Sequence, residues 1–313
     1  MDPYTNPDSQ SEQTLQAMIT RLEERGKNQR FLKMIHAYAD ELPDRQPLVV
    51  LELGCGTGVV IRHLAKRLHS ASELHGADVS EVLLNEGRRR DTENQIRWDH
   101  IPGTNLPYAN GNFDVVVMHT LLSHVPEPAA TLAQAKRILK PGGRLIVFDA
   151  DHAGTTYSLP DYDRMRKIDH ILTTAIASHP DICRQMPRLL MDTGFELISH
   201  RSDVISECGQ GDYWLPSVKG FIRISPRSTL FLKRKPESGE NTCWLPTTTG
   251  PSSLPELFTP LARSQNPDCI ERTSQRKRQI LTFLHSEYCL SKDLRNFFLT
   301  PLDDWSNYSS INL

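Results

Sequence analysis

The stretch from residue 49 to residue 58 constrains this chain of 313 residues more than any other feature. Residues 49–53 are apolar apart from Glu52, which predicts a buried parallel strand. Glycines follow at alternate positions: Gly54, Gly56 and Gly58. An amphipathic run then begins at Val59, so the pattern predicts a strand, a glycine turn and a helix. The backbone of such a turn can approach a ligand closely, and the helix behind it presents unpaired N–H groups.

The glycine spacing narrows the kind of ligand. It is G-x-G-x-G rather than the G-x-G-x-x-G of a dinucleotide site, so we expect a nucleotide-like cofactor other than a dinucleotide. The alternative is an ordinary strand–turn–helix crossover with a tight bend. Glu52 lies near the end of the strand, where a carboxylate is costly unless it meets a polar or cationic partner.

Asp78 ends a second predicted strand, residues 73–78, downstream of the glycine turn. A carboxylate at that tip can accept hydrogen bonds from both hydroxyls of a ribose. The alternative is that Asp78 simply caps the next helix, predicted over residues 80–90, since Asp is a common N-cap residue. The glycine turn upstream favours ribose binding.

Strands and helices alternate along the chain, which predicts an α/β fold with a doubly wound, seven-stranded, mostly parallel sheet. Ligands of such sheets bind beyond the carboxyl ends of the strands. Further strands are predicted within 96–106, at 113–118 and 144–148, from residue 195 and at 229–235, and further helices at 128–139 and 162–178. Two helices between residues 14 and 40, broken near 26–28, cover either the cofactor pocket or merely a face or edge of the sheet.

The chain is predicted to divide into three parts. Residues 1–12 are expected to be disordered, and residues 13–235 to form the cofactor-binding domain with its N-terminal helical cap. Residues 236–313 form a poorly structured C-terminal extension, with little fixed structure over 236–270 because Pro, Ser, Thr and Asn dominate there. Residues 270–290 are interpreted as a solitary amphipathic helix.

Composition limits the partners. A formal net charge of −2 gives no general attraction to nucleic acid or to anionic membranes. The six cysteines are scattered without a C-x-x-C pair, which argues against a zinc site and a disulfide framework, and no metal site is predicted. No apolar run approaches the roughly 18 residues of a membrane span. We therefore expect a soluble, cytoplasmic protein.

Four motifs together resemble the class I S-adenosylmethionine-dependent methyltransferases, of the broad ubiquinone- and small-molecule-type group. They are Leu-Glu-Leu-Gly-Cys-Gly-Thr-Gly (51–58), Gly-Ala-Asp-Val-Ser (76–80), Leu-Pro-Tyr-Ala-Asn-Gly-Asn-Phe-Asp (106–114) and Arg-Ile-Leu-Lys-Pro-Gly-Gly-Arg-Leu (137–145). The resemblance extends from about residue 20 to about residue 235. It implies a Rossmann-like methyltransferase fold and S-adenosyl-L-methionine as the cofactor.

The resemblance also implies a role for each matching position. Residues expected at the methionine and ribose parts of the cofactor are Glu52 (at the α-amino group), Gly54, Cys55, Gly56, Gly58, Asp78 (at the ribose) and His119. Residues expected at the adenine are Val79, Gly103, Thr104 and Asn105. One position departs from the family pattern, because Pro102 stands where an Asp usually receives the adenine amino group. Asp99 can replace that Asp only if the loop is rebuilt.

Methyl transfer from a sulfonium is a direct displacement and requires no metal or covalent intermediate. A general base helps where the acceptor has a proton to lose. The predicted catalytic residues are His119 and His152, and His152 follows Asp149 and Asp151, whose charges would favour its protonation. Packing or surface roles for these histidines are the alternative.

The predicted function is methyl transfer to a small organic acceptor, in specialised metabolism. A cofactor-binding regulator or pseudoenzyme without turnover is the alternative. A nicotinamide oxidoreductase is disfavoured by the glycine spacing.

Overall fold

The computed structural model describes residues 2–43, 45–157, 162–208, 213 and 279–290. The strands are β1 Val49–Leu53, β2 Glu73–Asp78, β3 Ile96–His100, β4 Phe113–His119, β5 Leu139–Tyr157, β6 Glu196–Cys208 and β7 Gln279–Leu290. The helices are α1 Glu12–Arg25, α2 Gln29–Ala39, α3 Val59–Ala65, α4 Glu81–Arg90, α5 Pro128–Ile138, α6 Tyr162–Ile176 and α7 Ile182–Asp192. A 3₁₀ turn at Pro7–Ser9 precedes them.

Five parallel strands in the order β3-β2-β1-β4-β5 form the centre of the sheet. Successive residues of β4 face opposite sides, as a strand requires. Val115 and Val117 belong to a core with α2 and α3, and Val116 and Met118 to a second core with α5 and α7. Both faces are thus covered by helices, which confirms the predicted α/β, doubly wound, Rossmann-like architecture.

The sheet continues beyond β5 in the order β5-β7-β6, with β7 parallel to both neighbours. The predicted strand at 229–235 and the predicted unstructured segment at 236–270 lie outside the described residues. The predicted helix over 270–290 is wrong for Gln279–Leu290, which is a strand. Pairing on both sides of this segment prevails over its helical spacing of apolar residues, because strand formation depends strongly on the neighbours that a segment meets.

The predicted disorder of residues 1–12 is wrong for residues 2–12, which hold defined contacts. Asp2 is only 5% exposed, and its Oδ2 lies 2.7 Å from Nδ1 of His124. Asp8 accepts hydrogen bonds from the Ser80 hydroxyl and, at 2.9 Å, from the Glu81 N–H at the start of α4. These polar anchors order a segment that has little apolar surface to bury.

The two N-terminal helices form as predicted and separate at residues 26–28. The Ser11 hydroxyl caps α1 by accepting from the Thr14 N–H, and the Asn28 side chain caps α2 by accepting from the N–H groups of Arg30 and Phe31. Each cap satisfies N–H groups that have no partner within the helix, so the chain can stop one helix and start the next within three residues.

Gly58 accommodates the indole of Trp98. A Cβ on Gly58 would lie 2.2 Å from the Trp98 ring, and a Cβ on Gly76 or Gly87 would also meet that ring, at 3.2 Å and 2.6 Å. Gly58 also adopts a φ of +75° as the N-cap of α3. Its glycine identity therefore serves packing, and its predicted contact with the cofactor stays a prediction.

We predict that Gly58→Ala lowers the free energy of unfolding by about 1–3 kcal/mol, because the new methyl group overlaps the Trp98 ring in a strained backbone conformation. Gly103→Ala is the matched control, since a Cβ there meets no atom within 4 Å, and its change should stay within about 0.5 kcal/mol. Urea unfolding of both variants measures the difference. Equal midpoints for the two variants would contradict this packing role.

Candidate functional site

A cavity of about 150 Å³ lies beyond the carboxyl ends of β1, β2 and β4. Eight of the predicted site residues line it: Glu52, Gly54, Cys55, Gly56, Asp78, Val79, His119 and His152. These residues are up to 100 positions apart in the sequence. The topology of the parallel sheet brings them together, as it does in open α/β folds generally.

The glycine turn holds its shape through hydrogen bonds to the tip of β2. The N–H groups of Gly54 and Cys55 both donate to the Ala77 carbonyl, at 2.8 Å and 3.0 Å. The Gly56 N–H donates to Oδ2 of Asp78 at 2.7 Å. Gly54 and Gly56 adopt φ values of +74° and +54°, a region that favours glycine. The turn and the carboxylate are thus one rigid unit.

Asp78 is not the N-cap of α4, so the capping alternative is wrong. The N-cap is Ser80, whose hydroxyl accepts from the Leu83 N–H at 3.1 Å. Asp78 accepts instead from the Ser80 and Gly56 N–H groups and borders the cavity. Burial raises the pKa of Asp78, and the two backbone donors oppose that rise because they stabilise the charged form.

Glu52 has a polar partner, as a carboxyl group in a buried strand requires. Its Oε2 accepts from the Ile61 N–H of α3 at 2.8 Å. Burial raises the pKa of Glu52 to about 8, with the Ile61 hydrogen bond opposing the rise and the Asp78 charge adding to it. Glu52 is therefore largely protonated near pH 7, and a cation beside it would favour its ionised form.

The N-terminal segment and helices cover the cavity, which supports the cofactor-pocket alternative for these helices. The lining residues from this part of the chain are Tyr4, Thr5, Pro7, Arg21, Leu22, Arg25 and Phe31. A Cβ on Gly56 would lie 3.2 Å from Cδ1 of Leu22, so α1 packs directly over the glycine turn. The Arg25 guanidinium lies 4.6 Å from the Phe31 ring centre. Sequence analysis assigned none of these residues, although the amphipathic pattern of α1 was visible.

His119 ends β4 at the cavity wall. Its Nδ1 lies 3.0 Å from the Tyr38 hydroxyl, and its ring stacks on Phe148 with 4.3 Å between the ring centres. Phe31 packs edge-on against the same ring. Stacking and the Tyr38 contact fix the orientation of the imidazole within the site.

His152 lines the cavity, but the two carboxylates assigned to it have other partners. Asp149 accepts from the N–H groups of Ser123 and Ala150 at 3.0 Å and 2.9 Å. Asp151 pairs with Arg184 at 3.1 Å. Asp149 and Asp151 thus each have a further partner, and the effect of their charges on His152 stays a prediction.

The predicted adenine loop is exposed at Gly103, Thr104 and Asn105, and these residues are not among those that line the cavity. Their contact with an adenine stays a prediction. Asp99 lies 3.1 Å from Nδ1 of His75 and accepts from the Tyr108 hydroxyl at 2.8 Å. Pro7 of the N-terminal segment and Val79 both line the cavity.

Two further findings concern only the residues that the structure describes. They include no cluster of three or more His, Cys, Asp or Glu side chains arranged to hold a metal ion. Their helices include none that combines the length and the apolar character needed to span a bilayer.

Comparisons with known proteins agree with this geometry. Residues 51–147 match the family model described as a methyltransferase domain. The chain is 35% identical over 158 residues to an uncharacterized 37.1 kDa protein in transposon TN4556 of Streptomyces fradiae, covering 50% of this chain and 46% of that protein. It is 32% identical over 124 residues to the ubiquinone/menaquinone biosynthesis C-methyltransferase UbiE of Desulfotalea psychrophila, covering 40% and 49%.

A solved structure of a SAM-dependent methyltransferase from Aquifex aeolicus is 17% identical, with a TM-score of 0.41, and the similarity covers 52% of this chain and 79% of that one. The chain spans about half the length of the two curated relatives above. The family match falls on the segment that contains the glycine turn, Asp78 and His119. Residues 51–147 of the chain are therefore similar to a methyltransferase domain.

Proposed function

We propose that the chain binds S-adenosyl-L-methionine in the described cavity and transfers its methyl group to a small organic acceptor. The observation that carries this proposal is the rigid unit of the glycine turn and Asp78, which borders the cavity together with Glu52. A carboxylate at the tip of β2 matches the two hydroxyls of a ribose. Val79, on the cavity wall beside it, offers an apolar surface for the adenine.

Charges at the other end of the turn suit the methionine part of the cofactor. An amino acid carries an ammonium and a carboxylate, which need an acidic and a basic partner. Glu52 and Arg25 both line the cavity, and Arg25 lies close enough to Glu52 to lower its pKa. We assign the ammonium to Glu52 and the carboxylate to Arg25, a residue that sequence analysis did not find.

The acceptor would lie on the β4 and β5 side of the cavity. This wall combines apolar side chains with the imidazoles of His119, His124 and His152. An enclosed, partly apolar wall excludes water and holds an acceptor in line with the methyl group. The UbiE relative is named as a C-methyltransferase. Because this chain matches only about half of that relative, we infer the acceptor from this chain's own cavity.

Several finer expectations belong to the same proposal. The fold is that of a seven-stranded methyltransferase sheet, and the domain includes β7, Gln279–Leu290, in addition to the predicted residues 13–235. The protein works in the cytoplasm, on a small molecule of specialised metabolism rather than on nucleic acid. Support comes from the composition and from the parallel five-stranded centre of the sheet.

Turnover separates an enzyme from a cofactor-binding regulator. The full chain should transfer labelled methyl groups from S-adenosyl-L-methionine to a compound in a small-molecule metabolite extract. The labelled product is detected by liquid chromatography with mass spectrometry. Binding of S-adenosylhomocysteine with no labelled product in the extract would support the regulator instead.

Asp78→Asn should weaken S-adenosylhomocysteine binding by about 1–3 kcal/mol, because charge-assisted hydrogen bonds to the ribose are lost. Asp99→Asn is the matched control, since Asp99 does not line the cavity and its side chain contacts His75 and Tyr108 instead. Isothermal titration calorimetry gives both affinities, and urea unfolding checks that each variant is folded. Equal affinity losses in the two variants would contradict the ribose assignment.

Cofactor binding at pH 7 should release about one proton from Glu52. The carboxyl group is largely protonated in the empty site, where its pKa is about 8, and the arriving ammonium lowers that pKa. Titrating S-adenosylhomocysteine in phosphate and in Tris buffer measures the released proton from the difference in heat. Glu52→Gln should abolish that release. An unchanged release in Glu52→Gln would place the proton on another group.

A further inference from the structure

His124, in the loop after β4, pairs with a carboxylate that lies 122 positions away along the chain. Its Nδ1 lies 2.7 Å from Oδ2 of Asp2, and its side chain is 14% exposed. Its ring lines the cavity on the proposed acceptor side. Tyr4 contacts the same ring, with 5.0 Å between the ring centres. A His–Asp pair thus faces the space where the acceptor would lie.

The partners of Asp2 determine the state of this pair. Oδ2 also accepts from the Ser178 N–H at 3.1 Å and the Ser178 hydroxyl at 3.2 Å, and Oδ1 accepts from the Tyr4 N–H at 2.9 Å. Tyr4 and Ser178 donate to both oxygens, so the Asp2 carboxylate is the acceptor in this network. Nδ1 of neutral His124 must therefore donate, and Nε2 is left without a proton and able to take one up.

Other charged and titratable groups around this imidazole come from β5 and α1. Asp149 is fully buried on β5 and close enough to His124 for their charges to interact. His152 lies 6.3 Å from His124 between ring centres. Arg21 of α1, which also lines the cavity, lies 5.7 Å from the Tyr4 ring centre. Asp2 and Asp149 are thus the two carboxylates that face this imidazole.

A second observation points to a polar ligand at this wall. Thr155 of β5 lines the cavity and is 2% exposed, and its hydroxyl has no hydrogen-bond partner within the described part of the chain. A buried hydroxyl without a partner is costly, so such groups usually meet a ligand or water. An oxygen or nitrogen atom of the acceptor would satisfy it.

We propose that His124 is the general base of the methyl transfer and that Asp2 is its positioning residue. This inference rests on the proposed function. It assigns the acceptor to the class of nucleophiles that have a proton to lose, such as a hydroxyl or a phenol.

The proposed step balances in atoms and charge. A lone pair of the acceptor oxygen attacks the methyl carbon, and the bond between that carbon and the sulfonium sulfur breaks with its electron pair retained by sulfur. The acceptor O–H proton passes to Nε2 of His124. The products are a methyl ether, S-adenosylhomocysteine and an imidazolium that the Asp2 carboxylate stabilises. The proton then leaves to solvent.

The first test reads the tautomer of His124 directly. Nitrogen-15 spectra of the full chain bound to S-adenosylhomocysteine should show neutral His124 with its proton on Nδ1. Asp2→Asn should shift the population toward the Nε2–H tautomer, because the acceptor that fixed the ring is no longer charged. Asp8→Asn, which changes a carboxylate of the same segment at α4, should leave the His124 signals unchanged.

The second test reads the rate. With labelled S-adenosyl-L-methionine and the metabolite extract, His124→Gln should transfer methyl groups about 100-fold more slowly or worse, while S-adenosylhomocysteine binding is unchanged. Neutral His124 protonated on Nε2, or an undiminished rate in His124→Gln, would overturn the proposal. Failure of the wild-type chain to bind S-adenosylhomocysteine would instead reject the proposed function, which keeps the two failures distinct.

Discussion

The hydrogen bond from the Gly56 N–H to the Asp78 carboxylate is the contact on which the rest of the site depends. It is 2.7 Å long and joins the turn after β1 to the tip of β2. The turn can offer this N–H because Gly54 and Gly56 adopt positive φ, which residues with a Cβ adopt only at a cost. The carboxylate is therefore in place before any ligand arrives, so binding loses less free energy to ordering the site.

The N-terminal segment completes the site from outside the sheet. Asp2 anchors it beside His124, and Asp8 anchors it at the start of α4. Between these two anchors, Tyr4, Thr5 and Pro7 form part of the cavity wall. The segment thus spans from His124 to the start of α4, so its order and the enclosure of the cavity depend on each other. Hydrogen bonds to the Asp2 and Asp8 carboxylates supply this order in place of an apolar core.

The cavity wall at the ends of β1 and β2 was predictable because its residues lie at fixed offsets from strand ends that local patterns reveal. Glu52, Gly56 and Asp78 are such residues. The wall at His124 was not predictable, since the Asp2–His124 contact joins residues 122 positions apart and has no periodic signature. Gly58 belongs to the glycine motif, but its packing against Trp98 was not predictable. Trp98 is distant in the sequence, and only the folded sheet brings it near. In β7, likewise, pairing with two strands outweighed the local spacing of apolar residues.

A crystal structure of the full chain with S-adenosylhomocysteine tests the central claim most directly. The account predicts both ribose hydroxyls within about 3 Å of the Asp78 carboxylate, and the amino group of the ligand beside Glu52. The glycine turn should keep its hydrogen bond from Gly56 to Asp78 in that complex. A ligand bound away from Asp78, with Leu22 and Pro7 still closing the cavity over the turn, would contradict the account.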